Sequence, residues 1–371
     1  MRPPRDDSRS GLPVLWLCGA PGVGKSVIAW ALFEALGAEG RTAAYVDIDQ
    51  LGMLLPATEA DPDRHALKTE ALVALLPGYA DAGADVLVVS GVADPSMPVD
   101  ALDAAVTFCL LTVDEATLRR RILARGWAEE IADECIEEGM VLREAPFVHV
   151  LVDTTALDVA EVVARVRPLV PDGTAKHTGV APQAPAAVDL VLVTGPRAVG
   201  SSTVSFDLAR SWWRDDRTTG FVDLQQLAFL RQPGRPGHSQ TALGIAQVAT
   251  LHGLFARHGA ELLLVSGHLE AGEPRSLRER VPAAQVTGVR LRADEATLAE
   301  HVRERVTGSA ARLAGDDLVN ASAAHQAHVL RAAVEEQHVL ELEAAEDVVV
   351  DVTGRNVEDV VASLQQLLDA R

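Results

Sequence analysis

The sequence GAPGVGKS at residues 19–26, called the first loop below, decides the fold of the first part of this chain. It follows the apolar run VLWLCG, which has the character of a buried strand, and it precedes a stretch with helical character. In that setting the glycines let successive backbone N–H groups converge on one phosphate, and the helix N-terminus adds its positive dipole. The motif therefore predicts a phosphate-binding loop between a strand and a helix.

The first loop and the residue after it supply the predicted nucleotide contacts. We expect Lys25 to reach the β- and γ-phosphates of ATP and the Ser26 hydroxyl to ligate Mg²⁺. The alternative is an ordinary glycine-rich turn with a surface lysine, which the strand–loop–helix context disfavours. The predicted cofactors are ATP and Mg²⁺, and the predicted cofactor-binding residues are Gly19, Ala20, Pro21, Gly22, Val23, Gly24, Lys25, Ser26 and Val27.

A second copy of this loop frame lies 176 residues further along the chain. Residues 195–202 read GPRAVGSS, called the second loop below, with Ser201 where the first loop has Lys25. At the same spacing YVDIDQL at 45–51 recurs as FVDLQQL, and ADVLVVSG at 84–91 recurs as AELLLVSG. Matches in the same order over this length predict a tandem duplication of one whole domain.

The duplication and the apolar pattern together predict the domain organisation. We expect a loose tail at 1–11, a first domain at 12–168, a linker rich in Pro, Gly, Ala and Thr at 169–187, and a second domain at 188–371. In each copy, short runs that are apolar throughout alternate with longer helical stretches. The predicted fold class is α/β, with two tandem domains that each contain a parallel sheet flanked by helices, and the two copies are expected to contact each other.

The composition limits the partners of the chain. Its 33 basic and 53 acidic residues give a formal net charge of −20, which repels phosphate backbones and makes nucleic-acid binding unlikely as the main role. No apolar run reaches the roughly 18 residues that a membrane span needs. Cys18, Cys109 and Cys135 show no C-x-x-C spacing and are expected to be reduced, mostly buried thiols. We therefore predict a cytoplasmic protein, and its oligomeric state is left open.

Two acids, Asp47 and Asp49, end the second predicted strand in VDIDQ. Residues two apart in a strand point the same way, and the carboxyl ends of strands in such sheets face the ligand crevice. We predict that Asp47 helps to hold the metal and that Asp49 is a catalytic base. The alternatives are a strand-end turn residue for Asp47 and a helix cap for Asp49. The second copy keeps Asp223 but has Gln225 in place of Asp49.

Arginines follow the fourth predicted strand in DEATLRRRILARG. Arg121 and Arg125 have i, i+4 spacing and share a helix face. We predict that both are catalytic and that they neutralise charge on a transferring phosphate. The alternative is a solvated basic helix face, which suits Arg119 and Arg120. The second copy has His301 and Arg305 at the places of Arg121 and Arg125.

With the loop, the two acids, the Ser-Gly end of the third strand and R-x-x-x-R, the first copy resembles small P-loop kinases. The group is that of nucleoside-monophosphate-kinase-like enzymes, with the shikimate, gluconate, adenylylsulfate and chloramphenicol kinases as its most similar members. The resemblance implies that Lys25 and Ser26 contact nucleotide phosphates and Mg²⁺, that Asp49 is the base, and that Arg121 and Arg125 belong to a lid. It also implies a small-molecule acceptor bound near segment 52–83, whose Arg64, His65 and Lys68 are more simply explained as exposed charges.

The second copy differs from the first at the positions assigned to chemistry. Ser201, Gln225 and His301 replace a lysine, an acid and an arginine, while the glycine frame remains. This pattern predicts an active first copy and a degenerate second copy, although Arg197 inside the second loop could supply replacement charge. The rival prediction is a nucleotide-binding switch that acts through a protein partner. A kinase needs the base and the lid arginines, whereas a switch needs only the loop.

Overall fold

The apolar runs of each repeat form the strands of a mostly parallel sheet, as the sequence predicts. The fold is seen in a computed structural model, and the residues that it describes are 11–96, 106–171, 188–234, 240–269, 273–281, 285–307, 314–343 and 348–370. The predicted tail, apart from residue 11, and the predicted linker after residue 171 lie outside these ranges.

The strands of the described residues are β1 (Val14–Cys18), β2 (Ala43–Asp47), β3 (Leu54–Leu55), β4 (Val86–Ser90), β5 (Val106–Thr112), β6 (Val150–Asp153), β7 (Asp189–Thr194), β8 (Thr219–Asp223), β9 (Leu230–Arg231), β10 (Leu262–Ser266), β11 (Val286–Arg292) and β12 (Val348–Asp351). The helices are α1 (Lys25–Ala38), α2 (His65–Asp81), α3 (Glu115–Leu123), α4 (Glu129–Arg143), α5 (Val159–Val166), α6 (Ser201–Arg214), α7 (Leu224–Leu227), α8 (Thr241–Arg257), α9 (Glu273–Arg280), α10 (Glu295–Thr307), α11 (Ala323–Glu343) and α12 (Val357–Asp369). Short 3₁₀ helices cover Ile48–Gly52 and Arg167–Leu169.

The chain divides into two compact units, each with its own sheet. The described residues of the first unit belong to Met1–Gly52, Asp61–Ala181 and Phe229–Ser239. Those of the second unit belong to Met53–Ala60, Pro182–Ala228 and Gln240–Arg371. Each unit therefore consists mainly of one repeat and includes a short segment from the other repeat.

The sheet of the first unit has the order β6-β5-β1-β4-β2-β9. Every neighbouring pair from β6 to β2 is parallel, and β1 lies between β4 and β5. The residues of β1 and β4 are buried, which explains why both strands are apolar throughout rather than alternating. Helix α1 packs against β2, β4 and α5, and α4 packs against β5. The first loop leaves this sheet at the carboxyl end of its central strand β1.

The sheet of the second unit repeats the same plan. Its order is β12-β11-β7-β10-β8-β3, with β7 in the place of β1. The pairs from β12 to β8 are parallel, and the second loop follows β7 as the first loop follows β1. Both units are thus α/β domains with parallel sheets flanked by helices, which confirms the predicted fold class.

Each sheet ends in a short antiparallel strand from the segment exchanged between the repeats. In the first unit β9 pairs with β2, and the N–H of Tyr45 donates to the carbonyl of Phe229 at 3.2 Å. In the second unit β3 pairs with β8, and the N–H of Phe221 donates to the carbonyl of Met53 at 2.7 Å. These two-residue strands cap an edge of each sheet, which would otherwise present unpaired backbone groups.

Phe229 is expected to be needed for the stability of the first unit. It is 3% exposed, and its ring centroid lies 4.9 Å from that of Trp30 and 5.9 Å from that of Tyr45. F229A should lower the free energy of unfolding by about 3–5 kcal/mol because it leaves a cavity, as urea unfolding would measure. The control R231A removes the partly exposed ion pair with Glu34 at 2.9 Å and the contact of the arginine stem with Gly37, and it should cost about 1 kcal/mol. Equal losses from both variants would contradict this role of the ring.

Candidate active site

The first loop joins β1 to α1, and two of its glycines explain its shape. Gly24 has a φ of +103° and directly precedes Lys25, the first residue of α1. At Gly22 an added Cβ would lie 2.7 Å from Cδ1 of Ile122 and 3.0 Å from Cδ1 of Leu118. Only glycine therefore lets α3 pack over the loop without displacement. Helix α1 begins at the carboxyl end of the sheet. The backbone N–H groups of its first turn have no partner within the helix, so they favour the binding of an anion there.

Lys25 is folded back onto the first loop. Its Nζ donates to the carbonyl oxygens of Gly19 at 2.7 Å and Ala20 at 3.0 Å, and the residue is 9% exposed. Burial lowers the pKa of Lys25, and the nearby carboxylates of Asp49 and Glu138 act in the opposite direction. A phosphate would offer this ammonium group a charged acceptor in place of two neutral carbonyls.

Ser26 and Asp47 are joined at the start of α1. The Ser26 Oγ donates to Asp47 Oδ2 at 2.9 Å, and the Ser90 Oγ donates to the same oxygen at 2.8 Å. The Tyr45 hydroxyl lies 2.9 Å from the Ser90 Oγ, and since Ser90 donates to the carboxylate, Tyr45 donates to Ser90. Burial raises the pKa of Asp47, the charge of Asp49 adds to this, and the hydrogen bonds from the serines oppose it. The chain Tyr45–Ser90–Asp47–Ser26 thus links the ends of β2 and β4 to the loop.

The Ser26–Asp47 pair suits a magnesium ion. Magnesium prefers hard oxygen ligands and is usually held by one or two carboxylates together with substrate phosphates and waters. The half-buried Asp47 carboxyl group has a raised pKa, and a divalent cation would stabilise its ionised form. Among the described residues no group of three or more His, Cys, Asp or Glu side chains could hold a metal by itself. Nucleotide phosphates and waters would supply the other ligands.

Replacing Asp47 by asparagine is expected to separate metal binding from folding. At neutral pH the raised pKa means that the ionised carboxylate costs the folded state more than the unfolded state, and D47N removes this cost. The ligand-free melting temperature should be unchanged or higher, while the stabilisation that MgATP gives should be largely lost. Thermal unfolding with and without MgATP measures both quantities.

The matched control for D47N is D223N in the second unit. Asp223 ends β8 as Asp47 ends β2, and burial raises its pKa as well. We expect D223N to leave the MgATP response intact. If D47N kept the full response, Asp47 would not be a metal ligand.

The two acids after β2 do not share a strand face as the alternation argument assumed. The strand ends at Asp47, and Ile48–Gly52 turn into a 3₁₀ helix. The backbone N–H of Asp49 instead donates to Asp47 Oδ1 at 3.1 Å. Asp47 is thus held against the loop, and the Asp49 side chain is free to contact another element.

Asp49 forms an ion pair with Lys68 of α2. The Lys68 Nζ donates to Asp49 Oδ1 at 2.7 Å, and the side chains are 9% and 52% exposed, respectively. An added Cβ at Gly52 would lie 2.7 Å from Cγ of Lys68, so this glycine leaves room for the lysine stem. The interpretation of Lys68 as an exposed charge is therefore wrong. Asp49 keeps solvent access beside a buried cation.

Arg121 lies against the first loop. Its Nη1 donates to the carbonyl of Val23 at 3.1 Å. In the second unit His301 takes the matching place, with its Nδ1 at 2.9 Å from the carbonyl of Ala198. Both contacts hold the helix after the fourth parallel strand against the loop of its own unit.

Arg125 and Arg119 have different surroundings. The Arg125 side chain is exposed, and its guanidinium carbon lies 5.8 Å from the centroid of the Trp127 ring. Arg119 forms ion pairs with acidic side chains of α3 and α4, at 2.9 Å to Glu129 and 2.5 Å to Asp133. The structure therefore brings Arg121 to the loop and gives Arg119 the role of tying α3 to α4. The prediction that Arg121 and Arg125 share a helix face is wrong, because α3 ends at Leu123 and Arg125 lies in the turn that follows.

Two residues at the site do not stand out in the motif pattern. They are Lys68 and Glu138, the second of which lies on α4, where burial raises its pKa and Lys25 lowers it. Comparison of the two predicted repeats could have drawn attention to both residues. Lys68 corresponds to Gly244 at the spacing of 176, so it is lost together with the acid that Gln225 replaces. Glu138 corresponds to Glu336 at the spacing of 198 that also relates the LVDTT and VVDVT strands.

The second unit retains the frame of the site without the charges that Lys25, Asp49 and Lys68 carry in the first unit. Ser202 hydrogen-bonds to Asp223 as Ser26 does to Asp47. The Gln225 side chain, however, is tied to the backbone of His268, with Nε2 at 2.7 Å from its carbonyl oxygen and Oε1 at 3.1 Å from its N–H. A neutral amide held by main chain is not a proton acceptor comparable with a carboxylate such as that of Asp49.

Comparison with known proteins agrees with the geometry of the first loop. Residues 15–141 match the family model described as an AAA domain. This match covers the first loop and most of the first repeat, and it is consistent with the strand–loop–helix geometry seen there. No curated protein matches the sequence.

Solved structures similar to this chain include a resistance protein and two small-molecule kinases. A tunicamycin resistance protein of Deinococcus radiodurans is 18% identical, with 45% of this chain and 99% of that chain covered and a TM-score of 0.34. A gluconokinase of Sinorhizobium meliloti 1021 is 22% identical over 44% and 95%, with a TM-score of 0.32. A shikimate kinase of Bacteroides thetaiotaomicron is 15% identical over 49% and 99%, with a TM-score of 0.29. At such scores these likenesses say nothing of activity.

None of the described helices has the length and apolar character that crossing a bilayer requires. The three cysteines are unpaired and buried, as the sequence predicts.

Proposed function

We propose that the first unit transfers the γ-phosphate of MgATP to a hydroxyl group of a small molecule. The observation that carries this proposal is the division of the two acids beside the loop. Asp47 is hydrogen-bonded to Ser26, where a metal is expected, while Asp49 remains half-exposed next to the buried Lys68. One acid is thus available for the metal and the other for an acceptor hydroxyl, and both lie close enough to Lys25 to affect its pKa.

The residues of the site can divide the work of such a transfer. Lys25 would exchange its two carbonyl partners for phosphate oxygens, and Arg121, already at the loop, would add positive charge where negative charge develops. Ser26 and Asp47 would hold Mg²⁺, which when bound neutralises phosphate charge. Asp49 would accept the hydroxyl proton, and Lys68 would keep the carboxylate in place.

The second unit is proposed to be catalytically silent. Its loop has Ser201 in place of Lys25, and both members of the Asp49–Lys68 pair are absent, with Gln225 and Gly244 at their positions. Gly244 could not gain a side chain freely, because an added Cβ would lie 2.6 Å from Cδ2 of Leu224. The loss of both members of one ion pair supports a shared role for that pair in the first unit.

ADP formation from MgATP across a pool of sugars, polyols, nucleosides, nucleotides and antibiotics tests the proposal. K25A serves as the blank. Acceptor-dependent ADP formation that disappears in K25A would establish a kinase and name its substrate class. Tight MgATP binding without stimulation by any acceptor would instead favour a nucleotide-dependent switch that acts through a protein partner.

A further inference from the structure

The second loop is in contact with a carboxylate of its own chain. Glu336 of α11 accepts two hydrogen bonds from Arg197, one from the backbone N–H to Oε2 at 2.9 Å and one from Nε to Oε1 at 2.7 Å. The Glu336 side chain is only 22% exposed. A charge-assisted, two-point contact of this kind is among the stronger hydrogen-bonded pairs in proteins.

His268 completes the surroundings of this carboxylate. Its Nε2 lies 3.5 Å from Glu336 Oε1, and its Nδ1 lies 3.4 Å from the carbonyl oxygen of Gly195, the first residue of the second loop. The carboxylate therefore lies between the loop backbone, the Arg197 guanidinium and an imidazole. These are groups that would otherwise be available to an anionic ligand.

The first loop cannot make the same contact. Its residue at the position of Arg197 is Pro21, which has neither a backbone N–H nor a charged side chain. Glu138, the counterpart of Glu336, instead lies near Lys25 and influences the pKa of that lysine. The equivalent glutamate therefore lies near the lysine of the first loop in one unit and is hydrogen-bonded to the arginine of the second loop in the other.

We propose that Glu336 is an internal ligand of the second loop and keeps nucleotide phosphates out of it. The carboxylate uses the N–H and the positive charge of Arg197, and its own charge repels phosphate at short range. Arg197 therefore does not replace the missing lysine while this contact holds. The inference goes beyond phosphotransfer because it concerns the second unit, and it rests on the proposed silence of that unit, for which it gives a physical cause.

Space for a nucleotide exists beside the second loop. A cavity of about 460 Å³ is lined by loop residues that include Ser202, by His301 of α10, and by Arg355 after β12. This volume lies within the range of small-molecule sites. The obstacle to binding is therefore the state of the phosphate loop and not a lack of room.

The test measures MgATP binding at the second loop by calorimetry, with the first loop disabled by K25A. Three variants carry K25A together with S201K, and S201K restores the lysine of the second loop. The first variant has no further change, the second adds E336A, and the third adds E335A. Glu335 is the matched control because it is exposed and directly precedes Glu336. The E336A variant should bind MgATP at least about 10-fold more tightly than the other two, which corresponds to about 1.4 kcal/mol.

Equal affinities in the E336A and E335A variants, including no detectable binding by either, would overturn the proposal. Circular dichroism checks that each variant is folded, and E336Q, which keeps the shape of the side chain, should give a smaller gain than E336A. A second measurement is independent of ligand: hydrogen exchange at the Arg197 amide should be faster in E336A than in E335A, and equal rates would also contradict the contact. Failure of the kinase proposal would appear elsewhere, as no acceptor-dependent ADP formation by the unmodified protein.

Discussion

Turnover of MgATP is expected to fall by at least about 10³-fold when Lys25 is replaced by alanine, while S201A in the second loop keeps most of it. The reason is the position of Lys25, which is buried at the base of the first loop with its ammonium group 2.7 Å from one loop carbonyl and 3.0 Å from another. Ser201 occupies the same place in the second loop and contributes no charge. Steady-state ADP formation at saturating acceptor measures both variants.

Loss of folding would not explain the expected effect of K25A. Burial lowers the pKa of Lys25, so the charged group is already costly to the folded state, and its removal offsets part of the lost hydrogen bonding. The melting temperature of K25A should therefore stay close to that of the unmodified protein. Equal losses of turnover from K25A and S201A would contradict a division into one active and one silent unit.

The strands and the loops of this fold could be predicted from local pattern. The runs in β1, β2, β4 and β5 are mainly apolar because most of their residues are buried in a parallel sheet, and the loop motif marks β1 as the strand that the predicted phosphate loop follows. The edge strands β3 and β9 could not be predicted. They are two residues long, too short for any periodicity, and each exists only because a segment from the other repeat pairs with it.

The arrangement of the site was predictable only in part. The motif identifies Lys25 and Ser26 because their roles follow from the loop backbone. The placement of Asp49 depends on the end of β2 at Asp47, and strand alternation gives no warning of a 3₁₀ turn. Lys68 is a buried cation, and lysines are seldom buried unless they are paired. Its burial depends on Gly52, which belongs to a different segment and leaves space for the lysine stem.

The same limit applies to the second loop. The loss of the lysine at Ser201 is visible in the sequence, and it suggests a weakened site. The contact between Arg197 and Glu336 joins residues 139 positions apart, so the sequence could not show that the replacement cation is already paired. Loss of charge and occupation by a carboxylate are different physical causes for the proposed silence, and the second became visible only in the structure.

The Asp49–Lys68 pair is expected to give the second large effect on turnover. D49N should lower kcat by about 10²–10⁴-fold because it removes the proposed proton acceptor, and K68M should lower kcat by a smaller factor because it leaves the carboxylate without its partner. Methionine suits the position, since the Lys68 side chain is 9% exposed and its Nζ has Asp49 as its ion-pair partner. If Lys68 acts through Asp49, the double variant should be no worse than D49N alone.

Four proteins are compared: the unmodified protein, D49N, K68M and the double variant. Their kcat and their KM for the acceptor decide how the pair works. Q225A is the matched control, because Gln225 takes the place of Asp49 in the second unit, and it should leave turnover unchanged. Additive losses, with K68M raising KM while kcat stays the same, would show that Lys68 binds the acceptor directly and does not position the base. A D49N variant with normal kcat would remove Asp49 from the chemistry and leave the first loop as a nucleotide site without a base, which is what a switch requires.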